Sequence, residues 1–147
     1  MAAGGCFCGK VRVQYSGQPI ASGLCYCLDC RKLTGSTYTY NFIFQNAQLT
    51  ISGSPKEVGK SSDSGNQIRN YFCPDCGTPL FGRQLKSNEL PVDDSDDTTI
   101  VRAGIFDDIE LLDERKPDVE IYTSRRLKWL SPVEGAGQFS GMMILPS

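Results

Sequence analysis

Seven cysteines and no histidine, in a chain of 147 residues, set the chemistry this sequence can perform. The cysteines fall into three clusters: Cys6-Phe7-Cys8-Gly9, Cys25-Tyr26-Cys27-Leu28-Asp29-Cys30, and Cys73-Pro74-Asp75-Cys76-Gly77. Lacking His, the chain has neither the commonest general base nor the commonest nitrogen ligand of zinc, so any metal must sit in sulfur, supplemented only by oxygen. The third cluster has the form of a zinc knuckle: one Cys ends a strand, two residues turn, and the Gly after the second Cys lets backbone N–H groups face sulfur. The first cluster is a tighter version of the same device. Together they offer four thiolates, the closed tetrahedral set of a structural zinc. The middle cluster offers three, which leaves one coordination position open, as catalytic zinc requires. Seven therefore divides most simply into four plus three. Two closed sites with a carboxylate as eighth ligand, or redox-active or free thiols, are the alternatives.

The elements that must hold these clusters read mainly as strands. Val11, Val13 and Tyr15 alternate with polar residues, and Tyr38, Tyr40, Phe42 and Phe44 repeat with a period of two. Leu49 and Ile51 make a short strand, and Ile68, Asn70 and Phe72 lead straight into Cys73. Leu80 and Phe81 leave that knuckle as a hairpin partner, and Thr99, Val101 and Ala103 form a later strand. Two short helices are expected, over Asp29–Thr34 with Gly35 as its stop, and over Glu110–Arg115 before Pro117. Ser61–Asn66 and the acidic run Pro91–Asp97 read as loops, and the latter matches no EF-hand spacing. No repeat and no linker separates two cores, so residues 1–147 are expected to form one domain.

Composition narrows the class. Hydrophobic residues make up 39%, which excludes global disorder, and no apolar run approaches the ~20 residues of a membrane helix. Fifteen basic against seventeen acidic residues give a net charge of −2, the wrong sign for a general nucleic-acid binder. Met1–Gly5 carries neither the basic nor the apolar part of a secretory signal, so a cytoplasmic location is expected. Neither nucleic acid nor a membrane is expected as a partner.

Three stretches carry a resemblance. Gly5-Cys6-x-Cys8-Gly9-x-Val11-Arg12, Cys25-x-Cys27-x-x-Cys30-Arg31-Lys32-x-Thr34-Gly35, and Phe72-Cys73-x-x-Cys76-Gly77-Thr78-Pro79-Leu80 resemble the family of glutathione-dependent formaldehyde-activating enzymes and centromere protein V. Gly104-Ile105-Phe106-Asp107-Asp108 and Arg125-Arg126-x-x-Trp129 extend the likeness to about Trp129. The resemblance implies a small, mainly β fold, a "β-tent" of antiparallel sheets meeting at a zinc. It assigns a structural zinc to Cys6, Cys8, Cys73 and Cys76 and a second, open zinc to Cys25, Cys27 and Cys30. It also implies a carbon–sulfur lyase chemistry that joins formaldehyde to glutathione, with glutathione as co-substrate. Many relatives have His where this chain has Tyr26, which removes a group that titrates near neutrality.

Expectations for the other site residues follow. Tyr26 and Asp107 are the acid/base candidates, and Arg31 and Lys32 are candidates for holding a carboxylate-bearing substrate such as glutathione. The aromatic strand is read as sheet core, and Trp129 as a core or lid ring. The function expected is a zinc-dependent lyase acting on a small-molecule carbonyl compound or its thiol adduct. A lyase or isomerase working on a larger biosynthetic carbonyl intermediate without glutathione, or a non-catalytic zinc-binding module, are the alternatives.

Overall fold

Strands form where β-branched and aromatic residues alternate with polar ones. The computed structural model describes residues 2–61, 67–85 and 98–142. In it β1 (Ala2–Gly5), β2 (Arg12–Tyr15) and β5 (Leu49–Ser52) make a three-stranded antiparallel sheet in the order β1-β2-β5. The second sheet has eight strands. It contains β3 (Ala21–Cys25), β4 (Thr39–Gln45), β6 (Lys56–Ser61), β7 (Gln67–Phe72), β8 (Pro79–Leu85), β9 (Thr98–Arg102), β10 (Val119–Ile121) and β11 (Gly137–Gln138), in the order β11-β10-β3-β4-β9-β8-β7-β6. Two short helices complete it, α1 (Leu28–Thr34) and α2 (Ile109–Glu114), each within a residue of its expected span. Among the described residues, no helix is long and apolar enough to cross a membrane.

The two sheets meet through aromatic rings. Val11, Val13 and Tyr15 from the small sheet's side are buried with Phe42, Phe44, Leu80, Val101 and Phe106. Tyr15 lies 4.5 Å from Phe44 and 5.0 Å edge-on from Phe106, ring centre to ring centre. The period-two aromatics of β4 are thus core, as their spacing predicts. Thr39 and Asn41 point to the opposite face of the same strand and are also buried, so the start of β4 is covered on both sides.

Where the sheets join, backbone approaches backbone. A Cβ on Gly4 would lie 2.1 Å from the Ile105 carbonyl oxygen, so β1 can bridge to Phe106 only with glycine there.

Three features depart from the sequence reading. The sheets are not wholly antiparallel: β10 runs parallel to both β3 and β11. β10 and β11 are joined by a long connection over residues 122–136, and β3 and β10 are far apart in the chain, as parallel pairing requires. Trp129 is 74% exposed and is not a core ring. Strands β1, β3, β6, β10 and β11 lacked a readable alternation: they are short, or rich in Ala, Gly and Ser. The loop expected at Pro91–Asp97 lies outside the described residues, as does the one at Ser61–Asn66 apart from Ser61 at the end of β6.

Candidate metal centres

Each of the two hairpins that face one another across the sheets ends in a cysteine turn. The turn between β1 and β2 carries Cys6 and Cys8, and the turn between β7 and β8 carries Cys73 and Cys76. Gly9 and Gly77 have φ of +83° and +78°, a conformation side-chain-bearing residues rarely adopt. Both turns close in the same way: the Gly9 N–H donates to Cys6 O and the Gly77 N–H to Cys73 O, at 3.1 and 2.8 Å. The Val11 N–H points at Cys6 Sγ, 3.3 Å away, as a thiolate ligand needs. Across the gap, Phe7 N–H donates to Thr78 Oγ1, and Lys10 pairs with Asp75 at 3.0 Å.

The four sulfurs lie within 4.8 Å of one another. Cys6 and Cys8 are 3.6 Å apart and Cys8 and Cys73 3.7 Å, sulfur to sulfur. Those separations are far too long for a disulfide, whose S–S bond is about 2.05 Å. They match the roughly 3.8 Å edge of a tetrahedron of sulfurs set ~2.3 Å from a zinc ion. Crowding also splits the thiols. Cys76 is drawn down to about 5, first by the Thr78 hydroxyl and N–H. Cys8 is pushed up to about 12: the Lys10 N–H favours its thiolate, but burial and the neighbouring sulfurs oppose a further charge. A divalent cation would relieve that opposition, releasing the remaining protons as it bound.

The second group forms where β3 runs into α1. Cys25 is the last residue of β3, Cys27 is the N-cap of α1, and Cys30 lies in its first turn. The helix begins because Cys27 Sγ accepts the Cys30 N–H at 3.3 Å, and it stops at Gly35 in the left-handed conformation, φ +68°. The three sulfurs lie within 4.8 Å of one another. Cys30 is held down near 3 by hydrogen bonds from Cys25 and Cys27, then by Thr39 and the charge of Arg102, against its burial. Cys25 moves upward, because Cys27 and Cys30 and its own burial all oppose its ionisation. Cys27 also ends raised: Cys25 lowers it, but Cys30 and burial outweigh that. These three residues supply three sulfurs, one fewer than the tetrahedral set of a closed zinc site.

Tyr26 does not face this set with a free hydroxyl. It is 1% exposed and donates its hydroxyl to Glu120 Oε1, while the Arg126 guanidinium sits 5.0 Å over its ring. Glu120, wholly buried on β10, also accepts from the Val133 N–H at 2.9 Å and from Gln138 Nε2, and pairs with Arg126 at 3.2 Å. Burial pushes this carboxyl up, but Tyr26, Gln138, Val133 and Arg126 together hold it below the usual range. Burial and the bond to Glu120 raise the Tyr26 phenol. Asp107 is occupied elsewhere. It pairs with Arg12 at 2.8 Å beside the small sheet, and its N–H donates to Ala3. Of the two cations, Lys32 lines a cleft between α1 and strands β6–β8, whereas Arg31 is not among that cleft's lining residues.

Several residues here were not legible as site residues. The Thr78 hydroxyl lies 3.2 Å from Cys76 Sγ, and Thr39 sits opposite Cys25 in the β3–β4 register. Asn41 links Thr39 to Arg102, with Asn41 Nδ2 donating to Thr39 Oγ1 and Arg102 Nη1 to Asn41 Oδ1. Glu120 sits between two β-branched residues in a strand, and a carboxylate so placed was the available sign.

The chain is similar to proteins already known. The model of the "Glutathione-dependent formaldehyde-activating enzyme" family matches residues 1–125. Proteins of Aspergillus flavus and Aspergillus oryzae, each described as "Putative glutathione-dependent formaldehyde-activating enzyme", are 29% identical over 80 residues. That match covers 53% of this chain and 41% of each relative, so the chain spans less than half of their length. The crystal structure of a Rhodobacter sphaeroides protein superposes with a TM-score of 0.53 at 16% identity, covering 78% of this chain and 96% of that one. That likeness concerns the fold. The match over residues 1–125 takes in all three cysteine clusters, and by it the chain belongs to the glutathione-dependent formaldehyde-activating enzyme family.

Proposed function

We propose that the chain is a zinc-dependent lyase-type enzyme that makes or breaks a bond between a thiol sulfur and a carbonyl carbon, with glutathione as the thiol. The observation that supports this reading is the pairing of a complete sulfur tetrahedron with a separate trio one ligand short. Cys6, Cys8, Cys73 and Cys76 would hold the ion that fastens the two sheets, and Cys25, Cys27 and Cys30 would hold the other. At the trio, the ion supplies Lewis acidity, favouring the thiolate of a bound thiol.

The chemistry itself is balanced without an oxidant or reductant. A sulfur lone pair forms the bond to the carbonyl carbon, the C=O π pair moves to oxygen, and the proton lost by sulfur is the one that oxygen gains. The reaction needs that proton carried across, not a net acid or base. The absence of His is therefore no obstacle in principle. Tyr26 is better suited to holding its loop than to moving protons, given its bond to Glu120. Asp107 serves Arg12 in the same sense.

The test is a rate. In an NMR exchange experiment with glutathione and formaldehyde, the zinc-loaded chain should accelerate formation of the hydroxymethyl thioether above the spontaneous reaction. Cys30→Ser should remove the acceleration while the protein stays folded. A wild-type rate equal to the spontaneous one would exclude this pair of substrates. An undiminished Cys30→Ser rate would remove the trio from the chemistry.

A further inference from the structure

Sequence neighbours of both cysteine groups line a common space. A cleft of about 470 Å³ opens between α1 and strands β6–β8, a size typical of small-molecule sites. Lys32 and Leu33, just past Cys30, form one wall; Phe72, just before Cys73, and Gly77, just after Cys76, belong to the other. Formaldehyde would occupy a small part of it. The cleft is shaped for the rest of a larger molecule.

Its charge runs against that of the chain. Lys32, Lys56 and Arg102 line it, with Glu57 as the only carboxylate among the lining residues. That carboxylate is already engaged, paired with Arg69 at 2.8 Å. The cleft is thus a cationic recess in a protein of net charge −2.

Arg102 is the fixed member. Its Nη1 donates to Asn41 Oδ1 at 2.8 Å and its Nη2 to Asn70 Oδ1 at 3.1 Å, while its Nε is closed off from solvent with no acceptor among the described residues. Gly82 leaves the space this clamp needs, since a Cβ there would lie 2.9 Å from Asn70 Oδ1. Asn41 in turn holds Thr39, which lies opposite Cys25 in the β3–β4 register, so the guanidinium is tied to the strand paired with the one that carries the first sulfur of the trio. Leu33, Val58 and Pro79 supply an apolar lining beside the cations.

We propose that this cleft binds the carboxylate-bearing portion of the substrate, with Arg102, Lys56 and Lys32 recognising the anion and Leu33, Val58 and Pro79 holding the adjoining apolar part. The proposal rests on the reading of the trio as the reaction centre. Arg102 anchors the carboxylate at a set position relative to Cys30, so the sulfur end of the same molecule is delivered to the trio. The two exposed lysines attract the anion and complete its neutralisation.

The probe is S-hexylglutathione, whose sulfur is blocked as a thioether and which carries two carboxylates and an apolar tail. Its diethyl ester differs only in having those carboxylates masked. Calorimetric titration of the zinc-loaded chain should show the acid binding at least about tenfold tighter than the ester. Lys56→Gln, at an exposed position, should weaken binding of the acid about three- to tenfold, and Arg102→Gln by about tenfold or more. Lys128→Gln, an equal change of charge on an exposed residue outside the lining, should leave it unchanged. Equal binding of acid and ester, or wild-type binding by both Lys56→Gln and Arg102→Gln, would overturn the proposal. Accelerated thioether formation without carboxylate selectivity would reject the cleft and keep the trio. Carboxylate-selective binding in a preparation that accelerates nothing would reject the trio as reaction centre and keep the cleft as an anion site.

Discussion

Glu120 is a carboxylate with no exposed surface, and every group around it is a donor: Tyr26, Gln138, the Val133 N–H and Arg126. A buried charge survives only with such complete satisfaction. The consequence for Tyr26 is that its hydroxyl anchors the Cys25–Cys27 turn to β10. Tyr26→Phe should lower stability by about 1–3 kcal/mol while leaving the zinc content unchanged and kcat within about threefold. A hundredfold fall in kcat at full zinc content would make the phenol an acid/base group after all. Removing the carboxylate is more severe. Glu120→Ala would leave the partly buried Arg126 without its carboxylate and the Tyr26 hydroxyl without its acceptor, and chemical denaturation should show a loss of about 3–5 kcal/mol. The sign of the pH dependence follows from the lowered carboxyl. Its folded pKa lies below the ordinary 4.5, so its contribution is complete above that value and disappears as the pH falls through the folded pKa. In denaturant titrations, the stability gap between wild type and Glu120→Gln should be constant above about pH 5.5 and close below about pH 4.5. A gap that widened on acidification would show that Glu120 is protonated in the fold.

At the level of elements, the strands that hold the clusters are strong where packing is two-sided. β4 buries Phe42 and Phe44 on the face toward the small sheet and Thr39 and Asn41 on the face toward the trio. Its period-two aromatics were readable because successive side chains of a strand point to opposite faces, and here one face is aromatic and the other largely polar. The knuckles were readable for a different reason: two cysteines at a fixed spacing followed by glycine leave few structural options. The order and ends of the strands were not. Short segments such as Ala2–Gly5 and Ala21–Cys25 become strands through their neighbours, and nothing in Val119–Ile121 announces a parallel partner. The tight meeting of β1 with the Ala103–Ile105 turn gives a direct test. Gly4→Ala should cost about 3 kcal/mol or more and lower the melting temperature sharply, whereas Gly104→Ala, with open space around it, should stay within about 0.5 kcal/mol of wild type. Similar melting curves for the two variants would contradict the close approach of β1 to that turn.

Across the whole molecule the cysteines form two groups of different reach. The quartet draws two sulfurs from a hairpin of the small sheet and two from a hairpin of the large one, so an ion there would tie the sheets together at their junction. Metal-linked folding energy at such a site is on the order of 10 kcal/mol, more than the aromatic junction could lose and remain folded. The trio sits within a single segment, from the end of β3 to the first turn of α1, and joins no sheets. Its loss should therefore spare the fold. Zinc per chain, counted by elemental analysis alongside thermal melts, separates the two roles most directly. Two ions are predicted in the wild type; about one, with only a modest fall in melting temperature, in Cys27→Ala; and failure to fold in Cys76→Ala. A single saturated ion in the wild type with Cys25, Cys27 and Cys30 idle or oxidised, or a Cys27→Ala variant that unfolds as completely as Cys76→Ala, would contradict it.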